Sequence, residues 1–177
     1  MDFNYAGELL KLCEETKLPI SEVMKRREMD FSSMTAQEVE EKMRKSLEIM
    51  KTAAKEPLEN EKPSMGGLIG GEAKLLFSQK GKEKDICGDV VLKAITYAMA
   101  VLEVNASMGV IVAAPTAGSC GVLPAVLLSF AEDFPATEEM LVQALYVAAG
   151  IGKVIAENAS LAGASGGCQA EIGSAGA

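Results

Sequence analysis

The chain has 177 residues, four cysteines, no histidine and a net charge of −8 from 17 basic and 25 acidic side chains. That length suits one domain whose single core removes roughly 70% of the unfolded surface from water without disulfide or metal staples. The acidic balance and scattered basic residues speak against nucleic acid or an anionic membrane as partner, and the lack of histidine removes Cys-His and Ser-His dyads, imidazole acid–base catalysis and Cys-His zinc sites.

The opening Met1-Asp2-Phe3-Asn4-Tyr5 lacks the basic and apolar regions of a signal peptide, so a cytoplasmic location is expected. Cysteines as sparse as 13, 87, 120 and 168 fit reduced thiols or metal ligation, not a disulfide scaffold. Tyr5, Leu9, Leu12 and Thr16 share one helical face, which predicts a helix over 5–16, and Leu18-Pro19 separates it from a second short helix over 21–29. A third helix opens on the capping box Thr35-Ala36-Gln37-Glu38 and runs through Val39, Met43, Leu47 and Met50 on one stripe. From residue 56 the character changes: Pro57, Pro63 and Ser64-Met65-Gly66-Gly67-Leu68-Ile69-Gly70-Gly71 suit either a flexible linker or a substrate-facing loop. No Lys-Ser/Thr follows these glycines as in a P-loop.

Before residue 86 lie 17 of the 25 acids and 15 of the 17 basic residues. The single domain thus reads as charged amphipathic helices over 1–55, a Pro/Gly-rich loop region over 56–85 and an apolar helical core over 86–177. Val90, Val91, Ala94, Ile95, Ala98, Val101 and Leu102 predict a helix over 89–108 buried on most sides. Val110 to Ala114 suits a short strand or the end of that helix. A helix over 121–134 follows with Pro124 in its first turn, and Thr137 caps the next. Along that last helix Ala144, Ala148, Gly152, Ala156, Ser160 and Ala164 form a ridge of small residues that lets a neighbouring helix come close. Asp89, Lys93 and Glu103 interrupt one apolar run, and Gln143 and Lys153 the other, which argues against a membrane span. With no period-two alternation, the expected fold class is all-α.

Two polar elements stand out against this core. In Pro115-Thr116-Ala117-Gly118-Ser119-Cys120-Gly121 two hydroxyls and two glycines precede a helix, an arrangement suited to a carboxylate and equally to a plain helix-entry turn. In Ser165-Gly166-Gly167-Cys168-Gln169-Ala170-Glu171 a thiol follows two glycines at the predicted start of a helix, where a thiolate is stabilised, although lone cysteines are more often inert structural thiols.

Residues 113–125 and the run from Asn158 through Glu171 together resemble the iron-sulfur-dependent L-serine dehydratases, alpha subunit. The likeness extends to Ser64–Lys74 and to Glu103–Gly109, and so covers nearly the whole chain. It implies an all-helical catalytic domain with a 4Fe-4S cluster held by three cysteines, of which Cys168 matches one; Cys120 matches a position that is not always cysteine. It further implies that Thr116, Gly118 and Ser119 bind the carboxylate of L-serine. The implied reaction is dehydration to aminoacrylate and its hydrolysis to pyruvate and ammonia, with an open iron as Lewis acid. The base is left open, with Lys74 and Glu171 as candidates.

Members of that family continue into a segment with two further cluster cysteines, in Cys-Asp-Pro and Val-Pro-Cys contexts, so the expectation is a C-terminally truncated alpha subunit, neither cluster-loaded nor active alone. A beta subunit and an oligomer are the expected protein partners. The alternative is a non-catalytic helical module that pairs with such a subunit. A redox pair of Cys120 and Cys168 is disfavoured, since they lie far apart in sequence without a Cys-x-x-Cys motif.

Overall fold

Capping chemistry sets the principal helix starts. Thr35 accepts the Glu38 amide while the Glu38 carboxylate accepts the Thr35 amide at 2.8 Å, opening α3 (Ala36–Glu59). Thr137 accepts the Met140 amide at the head of α7 (Glu138–Asn158). A computed structural model describes residues 1–61, 63–79, 81 and 87–177, and among these every regular element is an α-helix. The remaining helices are α1 (Ala6–Thr16), α2 (Ile20–Ser32), α4 (Glu72–Gln79), α5 (Asp89–Ala106), α6 (Val122–Asp133), α8 (Gly163–Gly166) and α9 (Cys168–Gly176). The all-α expectation holds.

The long α3 is the common partner, touching α2, α4, α5, α6 and α7. One cluster on it joins Phe3, Leu9, Val23, Val39 and Leu47 to Leu141, Val142, Leu145 and Tyr146. A second joins Ala53 and Ala54 to Tyr97, Val101, Cys120, Ala125 and Leu128. The core is therefore not confined to residues 86–177. The apolar stripes of the charged N-terminal helices supply half of it, because α7 has no other surface on which to bury Leu141 and Leu145. Tyr146 closes this contact: its hydroxyl donates to the Val39 carbonyl at 3.1 Å, and burial pushes the phenol up to about 12.

Three features depart from the periodicity. First, α3 passes through Pro57, because Ala53, Ala54 and Pro57 itself are buried there and offset the backbone bond that proline cannot make. With α4, regular structure thus occupies much of the 56–85 loop region, of which residues 62, 80 and 82–86 lie outside the described residues. Second, α5 is not buried on most sides. Val90, Val91, Ile95 and Leu102 are exposed, while Lys93, Thr96, Tyr97 and Glu103 are buried. The reason is a polar contact with α6: Lys93 pairs with Asp133 at 2.7 Å and Glu132 at 3.5 Å, and the Tyr97 hydroxyl donates to Glu132 at 2.7 Å. Third, α7 ends at Asn158, so Ser160 and Ala164 leave the small-residue row. Its close approach lies instead at Gly150, where a Cβ would stand 3.1 Å from Met24 Cγ of α2; at Gly152 a Cβ would meet open space. Ala144, Ala148 and Gly152 line an apolar groove of about 670 Å³.

By length and composition alone α7 could cross a membrane. Here it is tied to the rest of the fold at both ends: Glu138 pairs with Arg44 at 2.9 Å and Lys51 at 3.0 Å, and Lys153 donates to the Phe3 carbonyl at 2.5 Å.

Candidate active site

The polar element at 115–121 is an irregular turn that follows a cis Ala114–Pro115 bond and leads into α6. Residues 110–114 form no strand and no helix. Thr116 and Ser119 face each other with their hydroxyl oxygens 3.0 Å apart, and Thr116 Oγ1 donates to Glu171 Oε1 at 2.8 Å. The bond spans 55 residues and joins the two polar elements. Ser119 and Cys120 are buried, and burial pushes the Cys120 thiol up, so it stays protonated.

Glycine makes the contact possible. A Cβ on Gly118 would lie 2.6 Å from Glu171 Oε1 and 2.8 Å from Oε2, and one on Gly163 would lie 2.7 Å from Oε2. Any side chain at either position would collide with the carboxylate, so the two glycines form its cradle. Gly167, at φ +77°, turns the chain into α9 and puts Cys168 at the first position of that helix. Cys168 is exposed, and Glu171 follows one turn later in the same helix.

Both glycine-bearing loops hang from the C-terminal end of α5. Asn105 Nδ2 donates to the Ala117 carbonyl at 2.9 Å, and Glu103 Oε1 accepts the Ala73 amide at 2.7 Å, which fixes the start of α4 directly after Gly70 and Gly71. Sequence reasoning missed these two roles. The available signal was a buried-type carboxylate and an amide at the end of an otherwise apolar run.

Of the residues singled out by sequence, Thr116, Gly118, Ser119 and Glu171 converge, with Cys168 on the same helix as Glu171. Lys74 stands apart: on α4 it pairs with Glu61 at 3.1 Å and reaches the Glu59 carbonyl at 3.5 Å.

The family model of the serine dehydratase alpha chain matches residues 15–177. The chain belongs to the serine dehydratase alpha chain family. It is 40% identical over 98% of its length to the probable L-serine dehydratase, alpha chain, of Bacillus subtilis, of which it covers 57%. It is 37% identical over 98% of its length to the L-serine dehydratase, alpha chain, of Peptoniphilus asaccharolyticus, of which it covers 60%. A third relative, L-serine dehydratase TdcG of Escherichia coli, is 35% identical over 97% of the chain, which covers 38% of it. The chain thus spans somewhat over half the length of the two alpha chains it matches.

The iron-sulfur cluster implied by this family can be tested against the thiols present. Cys13 is half-buried in the first cluster of the core, Cys120 is buried in the second, and Cys87 and Cys168 are exposed. Among the described residues, no three His, Cys, Asp or Glu side chains gather to hold a metal. The described residues therefore do not make a cluster site by themselves. What they offer is one exposed thiol beside a built polar pocket.

Proposed function

We propose that this chain takes part in the cytoplasmic dehydration of L-serine to aminoacrylate and water, after which aminoacrylate hydrolyses to pyruvate and ammonia. The observation that carries the reading is the Thr116–Glu171 hydrogen bond, which draws the two glycine-flanked elements into one pocket. In this reading the Thr116 and Ser119 hydroxyls and the backbone at Gly118 receive the serine carboxylate. Glu171 positions Thr116: by accepting its proton it fixes the hydroxyl rotor, and its own place is fixed by Gly118 and Gly163. Cys168 serves as a single thiolate ligand to a 4Fe-4S cluster whose other ligands the described residues do not supply, and no step is assigned to that cluster here. A beta subunit and a larger oligomer are the proposed protein partners. The words "alpha chain" in the names of two relatives support this.

Calorimetric titration with L-serine tests the pocket. Thr116→Val and Glu171→Gln should each weaken binding roughly 10- to 100-fold, the worth of one to two charge-assisted hydrogen bonds. Equal affinity in wild type and both variants rejects the assignment. Anaerobic reconstitution of the 177 residues with iron and sulfide should leave no four-iron absorption band; a stable band would show that the thiols do gather.

A further inference from the structure

Away from the Thr116–Glu171 pocket, one buried group lacks a partner. Glu103 is 4% exposed; its Oε1 accepts the Ala73 amide, and its Oε2 is the one buried side-chain oxygen or nitrogen without a hydrogen bond among the described residues. The same side chain lines a cleft of about 540 Å³ between α3 and α5, together with Ala53, Pro57, Asn60, Val104 and Val110. None of the residues lining this cleft belongs to the Thr116–Glu171 pocket.

A carboxylate oxygen sealed from water requires a donor, since burial removes its hydration and nothing replaces it. The sign of the donor follows from the surroundings. Glu72, at the start of α4, is close enough for its carboxyl to engage Glu103, so two acids share this corner and a cationic donor is favoured over a neutral one. Lys45, the cation in the wall of the same cleft, leaves Glu103 Oε2 unpaired. Polyvalent metal ions call for more oxygen and nitrogen ligands than this corner provides, for no three metal-binding side chains converge among the described residues. The cleft is also far larger than a bare ion, and its walls at Ala53, Pro57 and Val104 are apolar.

We infer that this cleft binds a small organic molecule through its protonated primary amine, the amino acids being the chemical class. Glu103 Oε2 accepts an ammonium N–H, and the apolar wall receives the carbon skeleton. The inference does not depend on the serine-dehydrating reading, because it rests on a different cavity.

Thermal unfolding of the purified chain at constant ionic strength tests it, with glycine, L-serine, ethanolamine or ammonium chloride added, against tetramethylammonium chloride, which carries the charge without an N–H. The expected result is a saturable rise in Tm with the organic amines. It persists in Thr116→Val and is lost in Glu103→Gln, whose amide oxygen still accepts the Ala73 N–H. If Glu103→Gln does not fold, Val110→Trp, at an exposed position of the cleft wall, removes the rise instead. The inference is overturned by an equal rise with tetramethylammonium, by a rise with ammonium ion alone, by one that survives the substitutions, or by none at all; a trapped water then completes Oε2. Loss of the rise in Thr116→Val but not in Glu103→Gln also overturns it, while supporting the serine pocket.

Discussion

Glu171 and Gly118 decide together whether the pocket exists. Replacing Gly118 with alanine puts a methyl group 2.6 Å from a carboxylate oxygen that is also hydrogen-bonded, so the carboxylate must leave and Thr116 loses its acceptor. Gly118→Ala should therefore weaken L-serine binding about as much as Glu171→Gln, roughly 10-fold or more, with little change in helical content; an alanine variant that binds normally would dissolve the link between the two residues. The thiols give a second expectation at this scale. Cys168 and Cys87 are exposed, whereas Cys120 is fully enclosed and kept protonated by its burial. Timed alkylation with peptide mass mapping should modify Cys168 and Cys87 within minutes and Cys120 only on unfolding. Parity between Cys120 and Cys168 would contradict the packing of the 115–121 turn.

Among the helices, the unexpected one is α5, whose apolar residues face outward while its charges face in. Lys93 is buried against Asp133 and Glu132, and the pairing with Asp133 foremost raises its pKa against the opposing effect of burial. Lys93→Ala should destabilise the protein by about 2–4 kcal/mol, since it leaves two carboxylates at the α5–α6 contact without their cation. Urea unfolding measures this, and a loss under about 0.5 kcal/mol would mean that the carboxylates simply turn to solvent. Thr35→Ala, which removes the α3 cap, should cost about 1 kcal/mol by the same method. The cap at Thr35, the start of α7 at Thr137 and the helix beginning at Cys168 were all legible in the sequence, because each depends on residues a few positions apart. The inward face of α5 was not. Lys93 and Glu103 read as interruptions in an apolar run, and their partners Asp133 and Ala73 lie 40 and 30 residues away, beyond the reach of any local pattern. The same holds for the site: its two polar strings were visible, but the bond between Thr116 and Glu171 and the anchoring by Asn105 are tertiary facts.

For the molecule as a whole, α3 and α7 are joined by ion pairs with a definite pH dependence. Hydrogen bonds from Lys25 and then Arg44 hold Glu40 below its ordinary value of 4.5, and Lys51 foremost does the same for Glu138. At Glu132 burial pushes upward, but hydrogen bonds from Tyr97 and Lys55 prevail and the carboxyl is again lowered. Groups lowered in the folded state contribute stability above their unfolded value and lose it as pH falls through the folded one. Stability should therefore be flat in this respect near neutrality and decline below about pH 4.5, with the decline blunted by high salt at the exposed pairs. Urea midpoints measured between pH 7 and pH 3 check this; a midpoint that rises on acidification would contradict the sign.

The shared attachment of two loops to one helix end also limits how the sequence can vary in length. Residues turn by about 100° per position around a helix. A single residue inserted in the middle of α5 would swing Glu103 and Asn105 together away from Ala73 and Ala117, releasing both glycine-bearing loops in one step. The exposed outer face of α5 would register little change in composition. The length of this helix is thus dictated by the two loops it carries, and a gap or insertion there should be far less tolerated than its solvent-facing valines suggest.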